Sequence, residues 1–349
     1  MHSFHSCLQV LFWLGILAFG LAMAMAAAFL YLQASSRRSS QEELVFLHAW
    51  RPLLLGSFHS AVPAALPVLE RAHRLHFLKL WNRLMQDSQG EAAAERLIAI
   101  AHAVACAPFC RRYLRQGDRI ERLLATLTLG RLRDHIAWDD LVNQTLAADP
   151  QASLLAFHAL VRIDAEIAAQ QLTPLMLARK DWPVAQLASI LQPAQAAFIP
   201  VMIDVLQDSR AVHIPRTLRL IEALRLSLPQ ASIRHMLDTA DSTEALIGTL
   251  RIINDVGLLP QARAYLKHED WRVRVQAAKM LGRIGEHADV NRLIPLLADA
   301  QWWVRYRAAQ ALSSMPFMSR AEMELLRNNL SDRFARDMLS QVLAERKPA

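Results

Sequence analysis

Two small groups of residues in this sequence have types and spacing that suggest chemistry. Cys106 and Cys110 lie four residues apart, and Glu70, His73 and His76 follow one another at three-residue intervals. Residues at these spacings share one side of a helix, so the first group is a candidate redox or metal pair and the second a candidate metal site. Buried free thiols and a solvated or core-edge histidine cluster are the competing interpretations. We favour the buried thiols because a proline interrupts the cysteine helix and further zinc ligands cannot be placed. We favour the ordinary histidine cluster because the chain contains 13 histidines.

The common catalytic motifs do not occur in the chain. The sequence has no glycine-rich nucleotide loop, no serine nucleophile elbow and no HExxH segment. We therefore predict that the protein is not an enzyme, uses no metal or cofactor and has no small-molecule substrate. Asp149, Asp181, Asp241 and Asp270 precede helix-like segments. We interpret them as helix caps rather than as catalytic carboxylates.

Arginine and tryptophan supply the candidate binding residues. Arg111, Arg115 and Arg119 form a basic stripe at helical spacing, and Arg37 and Arg38 follow an apolar segment near the N-terminus. Such residues are candidates for contact with anionic lipid headgroups, and an ordinary solvated face is the alternative for the stripe.

A second candidate surface combines aromatic and basic residues near the turns between paired helices. Trp and Arg dominate binding hot spots, so these residues predict a strip that contacts a partner. Packing between repeats is the alternative for two of the tryptophans, Trp271 and Trp303. The predicted strip consists of Trp182, Trp271, Arg272, Trp302, Trp303 and Arg307.

Residues 7–33 contain no charged side chain. About 20 apolar residues cross the hydrocarbon core of a bilayer, so we predict a single transmembrane helix here and a juxtamembrane linker at 34–43. A cleaved signal peptide is the alternative, but the residues before the segment include no Lys or Arg. Arg37 and Arg38 follow the segment, and the positive-inside rule then places the remainder on the cytoplasmic side of the inner membrane.

Composition favours helices throughout the chain. The 349 residues are 53% hydrophobic and include only 10 glycines, while Ala and Leu dominate most segments. Ala and Leu favour helices, whereas strands prefer β-branched and aromatic residues. The formal net charge is +7. This excess is dispersed and consists mostly of Arg, which makes a nucleic-acid partner the less favoured alternative.

Near the C-terminus the sequence repeats itself. "VRVQAAKML" at 273–281 recurs as "VRYRAAQAL" at 304–312, an offset of 31 residues, with an amphipathic segment between the two copies. The pattern V-R-x-x-A-A-x-x-L resembles the HEAT-repeat family, specifically its short bacterial type. Fainter copies upstream extend the predicted repeats over 135–345, and 44–134 reads as a helical region of divergent repeats or a cap.

The resemblance implies an all-α fold: an α-solenoid of HEAT-like helical hairpins, here preceded by the transmembrane helix. It also implies a ladder between repeats formed by Arg274, Asp299 and Arg305, incomplete where His268 replaces the expected Asp. No single hairpin can bury its apolar face alone, so repeats of this kind stack and present an extended binding surface.

These observations predict a membrane-tethered scaffold that binds a protein partner, in an envelope or polysaccharide-synthesis assembly of the bacterial inner membrane. Nucleic-acid binding is one alternative. A lyase-type enzyme is the other, because HEAT-like repeats also occur in bilin lyases, although no residue of this sequence is identified as catalytic.

Overall fold

The computed structural model of the protein describes residues 44–58, 65–88, 90–207, 212–240 and 242–345. Within these ranges the chain is helical and contains no β-strand, which confirms the all-α prediction. The predicted transmembrane helix at 7–33, the linker at 34–43, and Arg37 and Arg38 lie outside the described residues. The chain divides into two compact units, Met1–Ile163 and Asp164–Ala349, whereas the sequence places the start of the repeats at residue 135.

The first unit is built from paired helices. Its described helices are α1 (Leu44–Gly56), α2 (Arg74–Asp87), α3 (Glu91–Ala103), α4 (Cys106–Gln116), α5 (Arg119–Arg131), α6 (Trp138–Thr145) and α7 (Pro150–Ile163). Helix α4 pairs with α5 and α6 pairs with α7, while α5 also packs against both α2 and α7. A capping box at Asp118 begins α5, since its side chain accepts a hydrogen bond from the Glu121 amide and the Glu121 carboxylate accepts one from the Asp118 amide.

The second unit continues with shorter pairs. Its described helices are α8 (Ala165–Ala178), α9 (Val184–Leu191), α10 (Gln195–Gln207), α11 (Ile214–Leu224), α12 (Gln230–Thr239), α13 (Thr243–Ile252), α14 (Leu259–Ala264), α15 (Trp271–Ile284), α16 (Val290–Leu293), α17 (Trp302–Ser314), α18 (Arg320–Asn329) and α19 (Arg333–Glu345). The short helices α14 and α16 are extended by flanking 3₁₀ turns.

The second helices of successive pairs stack in series. In this unit α9, α11, α13, α15, α17 and α19 each pack against the next, and the first helices α8, α10 and α12 pack in the same way. Each pair covers its apolar side with the following pair, which is the packing mode of an α-solenoid.

Small residues allow the close approach that the repeat requires. A Cβ on Gly282 of α15 would lie 2.7 Å from the Cα of Ala311 of α17, and a Cβ on Gly130 of α5 would lie 2.7 Å from the Cα of Ala159 of α7. Each glycine precedes its alanine by 29 residues. The same close contact between second helices therefore occurs in both units, including a region where the sequence motif is faint.

One helical stretch is long and apolar enough to cross a membrane by length and composition alone: Val184–Gln207. It consists of α9 and α10 joined by a 3₁₀ turn, and these helices pack against α8, α11 and α12. The α3 and α4 helices pass the same test together but are bent by 77°. Because the test covered only the described part of the chain, it does not include the predicted segment at 7–33.

Candidate partner-binding face

The turns that position the second helices are joined by an arginine–aspartate contact. The Arg274 guanidinium donates to both carboxylate oxygens of Asp299, each at 2.8 Å, and to the backbone carbonyls of His268 and Glu269. Arg305, 31 residues later, donates to the backbone carbonyls of Asp299 and Ala300 at 2.7 and 3.2 Å. The predicted contact between Arg274 and Asp299 is therefore confirmed, and it links two successive hairpins.

His268 stands where an aspartate is expected, and it reproduces only the hydrogen bond to the backbone of its own turn. Its Nδ1 accepts a hydrogen bond from the Asp270 amide at 3.0 Å, as the Asp299 carboxylate accepts one from the Gln301 amide at 2.9 Å. On the neighbouring helix α13, Leu246 occupies the position four residues after the N-cap where α15 has Arg274. The ladder therefore has neither acid nor arginine at this step; the sequence predicts the missing acid, and the structure adds the missing arginine.

The aspartates interpreted as caps fall into two groups. Asp149 and Asp270 accept hydrogen bonds from the amides of Gln151 and Arg272, at 2.9 and 2.8 Å, and this confirms their capping role. Asp181 instead forms an ion pair with Arg179 at 2.6 Å. Asp241 lies outside the described residues.

Exposed aromatic side chains gather at the start of α17 and α19. Trp302 is 40% exposed, Trp303 is 50% exposed and Phe334, which lies 31 residues after Trp303, is 65% exposed. Tyr306 stacks on Trp302 with ring centroids 5.0 Å apart, and Trp303 meets Trp302 edge to face at 4.8 Å. Rings held against one another lose little side-chain entropy when a partner covers them.

A hydrogen-bond chain fixes the aromatic cluster. The Arg307 guanidinium lies over the Tyr306 ring, 5.5 Å from its centroid, and donates to Gln310. Gln310 donates to the Tyr306 hydroxyl, which in turn donates to the Glu345 carboxylate at 2.8 Å. The bond to Glu345 raises the pKa of Tyr306. The cluster is therefore a preorganised surface rather than a set of independent side chains.

Basic residues continue this surface across α13 and α15. Arg251, Lys279, Arg283 and Arg307 come from three successive second helices. Desolvation and then the positive charges of Arg307, Arg251 and Arg283 lower the pKa of Lys279. We call the surface formed by these residues together with Arg272, Trp302, Trp303, Tyr306 and Phe334 the basic–aromatic face.

The residues of the predicted strip do not all lie on one exposed surface. Arg272, Trp302, Trp303 and Arg307 belong to the basic–aromatic face, and Trp271 is half-buried at the start of α15. Trp182 is fully buried, so its predicted role in contacting a partner is wrong. Its side chain lies in the core of the second unit, where the guanidinium of Arg179 lies 5.2 Å from the ring centroid.

Sequence reasoning missed Lys279, Arg283, Tyr306 and Phe334. The spacing of residues in the sequence could have identified three of them. Lys279 and Arg283 follow Arg272 at seven and eleven residues, which places all three on one side of a helix, and Phe334 repeats Trp303 at the 31-residue offset.

The arginines of the basic stripe in the first unit are paired with carboxylates. Arg111 pairs with Asp134, Arg115 with Asp140 at 2.7 Å and Arg119 with Asp149 at 3.0 Å. The last two pairs line a groove of about 430 Å³. Each guanidinium is neutralised by a carboxylate from the next helix pair, so the attraction to anionic lipid that motivated the prediction is largely cancelled.

The two candidate chemical sites are part of the packing. Cys106 and Cys110 are buried with their sulfur atoms 3.7 Å apart, and His73 and His76 pack against Phe46 with ring centroids 5.8 and 6.0 Å away. Among the described residues, no group of three or more His, Cys, Asp or Glu side chains is placed to hold a metal ion.

Helix pairs that stack in series, with buried alanines between second helices and an arginine–aspartate link between turns, define a helical-repeat protein. Comparison with protein families agrees with this class. Residues 237–313 match the family of HEAT repeats, so this segment of the chain is similar to HEAT repeats. No curated protein matches the chain.

Proposed function

We propose that the protein is a membrane-tethered scaffold that binds a protein partner through the basic–aromatic face. The observation that carries the proposal is the exposure of Trp302 and Trp303, which form one cluster with Tyr306 beneath the guanidinium of Arg307. Large aromatic side chains next to Arg are the residues that contribute most to protein–protein binding, and isolated exposed aromatics would not form one continuous cluster.

The tether is the part of the proposal that rests on sequence alone. Residues 7–33 have the length and composition of a transmembrane helix, and Arg37 and Arg38 follow it. The scaffold then lies on the cytoplasmic side of the inner membrane, where an envelope or polysaccharide-synthesis assembly is the expected context. A topology reporter fused after Ala349 tests this orientation, and periplasmic reporter activity would reverse it.

We also propose that the helices of the first unit from α4 onward are divergent repeats. Arg122 of α5 donates to the Gly117 carbonyl at 2.9 Å, as Arg274 of α15 donates to the Glu269 carbonyl at 2.9 Å. Both arginines lie four residues after the N-cap of their helix, and both helices carry the close glycine–alanine contact. These shared features support divergent repeats, rather than an unrelated cap, from α4 onward.

A pair of substitutions tests the binding face. Trp302→Ala combined with Trp303→Ala removes the exposed aromatic surface, and we expect it to abolish recovery of the partner when the tethered full-length chain is purified from its native membrane. The side chains are half-exposed, so helicity and melting temperature should change little.

The matched control is Leu325→Ala, which removes a 63% exposed hydrophobic side chain from the first helix α18. It should leave the co-purifying proteins unchanged. Identical recovery from the double tryptophan variant and the parent chain, with both folded, would refute the proposed face.

A further inference from the structure

Three cations at the centre of the basic–aromatic face form no ion pair in the part of the chain that the structure describes, although the charge of Glu222 acts on two of them, Lys279 and Arg283. Within the described residues, Lys279, Arg283 and Arg307 form no ion pair. Arg283 donates to the carbonyls of Arg251 and Ile253, and Arg307 donates to Gln310. Cations held this close repel one another, and an anionic ligand would relieve that repulsion.

This arrangement contrasts with the basic stripe of the first unit. The arginines of the first unit's stripe face Asp134, Asp140 and Asp149 across successive helix pairs. Arg251 and Arg272, at the margin of the face, pair with Glu222 and Glu244 at 3.0 and 3.4 Å. Arg131, Arg133 and Arg162 of the first unit also form no ion pair within the described residues, so the feature that distinguishes this site is the exposed aromatic cluster beside its cations.

The surroundings of the three cations define the size of the anion. Glu222 and Glu244 lie on α11 and α13, and Glu345 lies at the end of α19, so carboxylates bound the cationic centre on both sides. A long polyanion such as duplex DNA would meet these carboxylates as it continued past the centre. A short acidic segment fits between them, and an apolar side chain of the same segment would cover Trp303 and Phe334.

We propose that the partner presents a short acidic peptide segment with apolar residues interspersed, and that its carboxylates bind Lys279, Arg283 and Arg307 while an apolar side chain packs on Trp303. This inference rests on the proposed function, since it names the chemistry of the partner at the same face. The attraction between the partner's carboxylates and these cations would determine the specificity of binding and the rate at which the two proteins associate.

Fluorescence anisotropy tests the proposal directly. The probe is a fluorescein-labelled peptide rich in glutamate with interspersed leucines, titrated with the purified full-length chain at low ionic strength. Lys279→Glu replaces an attraction with a repulsion at the centre of the face, and we expect it to weaken binding about tenfold. Added salt should weaken binding to the parent chain and have less effect on the variant.

Lys267→Glu is the matched control. Lys267 is an exposed lysine on the first-helix side of the same hairpin, and within the described residues it forms no ion pair. The same charge change there should alter binding less than about twofold. Lys279→Gln supplies a milder variant that removes the charge without reversing it, and it should give an intermediate affinity.

Several results would overturn the inference. Equal effects of the Lys279 and Lys267 substitutions would show non-specific attraction to a basic protein. Tighter, Lys279-dependent binding of a duplex oligonucleotide or of phosphatidylglycerol vesicles would assign the cations to nucleic acid or lipid instead. Unchanged peptide binding by Lys279→Glu, with partner recovery still lost in the double tryptophan variant, would refute the acidic segment and leave the proposed function intact.

Discussion

The contact between Gly282 and Ala311 offers a direct test of the repeat packing. In Gly282→Ala, the added Cβ would lie 2.7 Å from the Cα and 2.9 Å from the Cβ of Ala311, whereas ordinary contacts of this kind lie at 3.4–4 Å. The nearest atom belongs to the backbone of α17, so no side-chain rotation relieves the clash. Helices α15 and α17 must instead move apart, which disturbs the buried alanines between them.

Two opposing effects determine the magnitude. Alanine favours a helix over glycine by about 1 kcal/mol, which stabilises the variant. Overpacking of a well-packed core costs about 1–3 kcal/mol, and the upper part of that range applies when backbone must shift. We expect a net loss of about 1–2 kcal/mol in the free energy of unfolding, equivalent to a melting temperature lower by roughly 3–6 °C for a unit of this size.

Thermal unfolding followed by circular dichroism at the helical band measures the effect in the full-length chain. Gly248→Ala is the comparison variant, because the nearest atom to its new Cβ is the Leu218 Cδ1 at 2.8 Å, which a rotamer change can move, while the Leu218 Cβ lies at 3.1 Å. This variant should lose less stability than Gly282→Ala. Gly130→Ala in the first unit should behave like Gly282→Ala, since its Cβ would lie 2.7 Å from the Cα of Ala159.

A melting temperature for Gly282→Ala equal to or above that of the parent chain would refute this reasoning. It would mean that the helices can separate without loss, and that the close approach of second helices is not required for stability.

Two further predictions concern buried polar groups. Burial raises the pKa of Asp289, but hydrogen bonds from Arg263 and the Glu286 amide, with the charges of neighbouring arginines, bring it below its ordinary value. Arg263→Ala should therefore destabilise the protein by about 3 kcal/mol at neutral pH. Because a depressed carboxyl pKa stabilises only above that pKa, denaturant melts should show the difference shrinking as pH falls below about 4; a constant difference would contradict the assignment. Burial and a hydrogen bond with Cys106 raise the pKa of Cys110. Iodoacetamide at neutral pH should thus modify the peptide containing both cysteines only after denaturation, as mass spectrometry would show, and rapid labelling of the folded chain would exclude an inert pair.

Much of the fold could be predicted from local sequence. Scarce glycine and abundant Ala and Leu favour helices whatever their surroundings, and the paired alanines of "VRVQAAKML" and "VRYRAAQAL" identify second helices that pack closely. The Arg274–Asp299 contact was implied by the resemblance of this motif to HEAT repeats. The fainter likeness of α5 and α7 to α15 and α17 was visible only once the helices were packed.

The candidate face was only partly predictable. Trp182 and Trp302 both stand near the start of a second helix, yet the first is buried and the second exposed, because exposure depends on neighbouring helices. The ion pairs of the basic stripe were not predictable for a related reason. Its acidic partners lie 23 to 30 residues further along the chain, and only the stacking of the next pair brings them within reach.

By itself, therefore, the sequence determined the helical class, the repeat and the residues that join its turns, since these depend on propensity and on contacts between neighbouring repeats. Only the tertiary structure decided which tryptophans reach the surface, which arginines are neutralised and which cations lie unpaired beside the exposed aromatic cluster. Burial and charge pairing are properties of side chains brought together by packing, and identical residue types at similar local positions acquire different roles when the next helix pair supplies different neighbours.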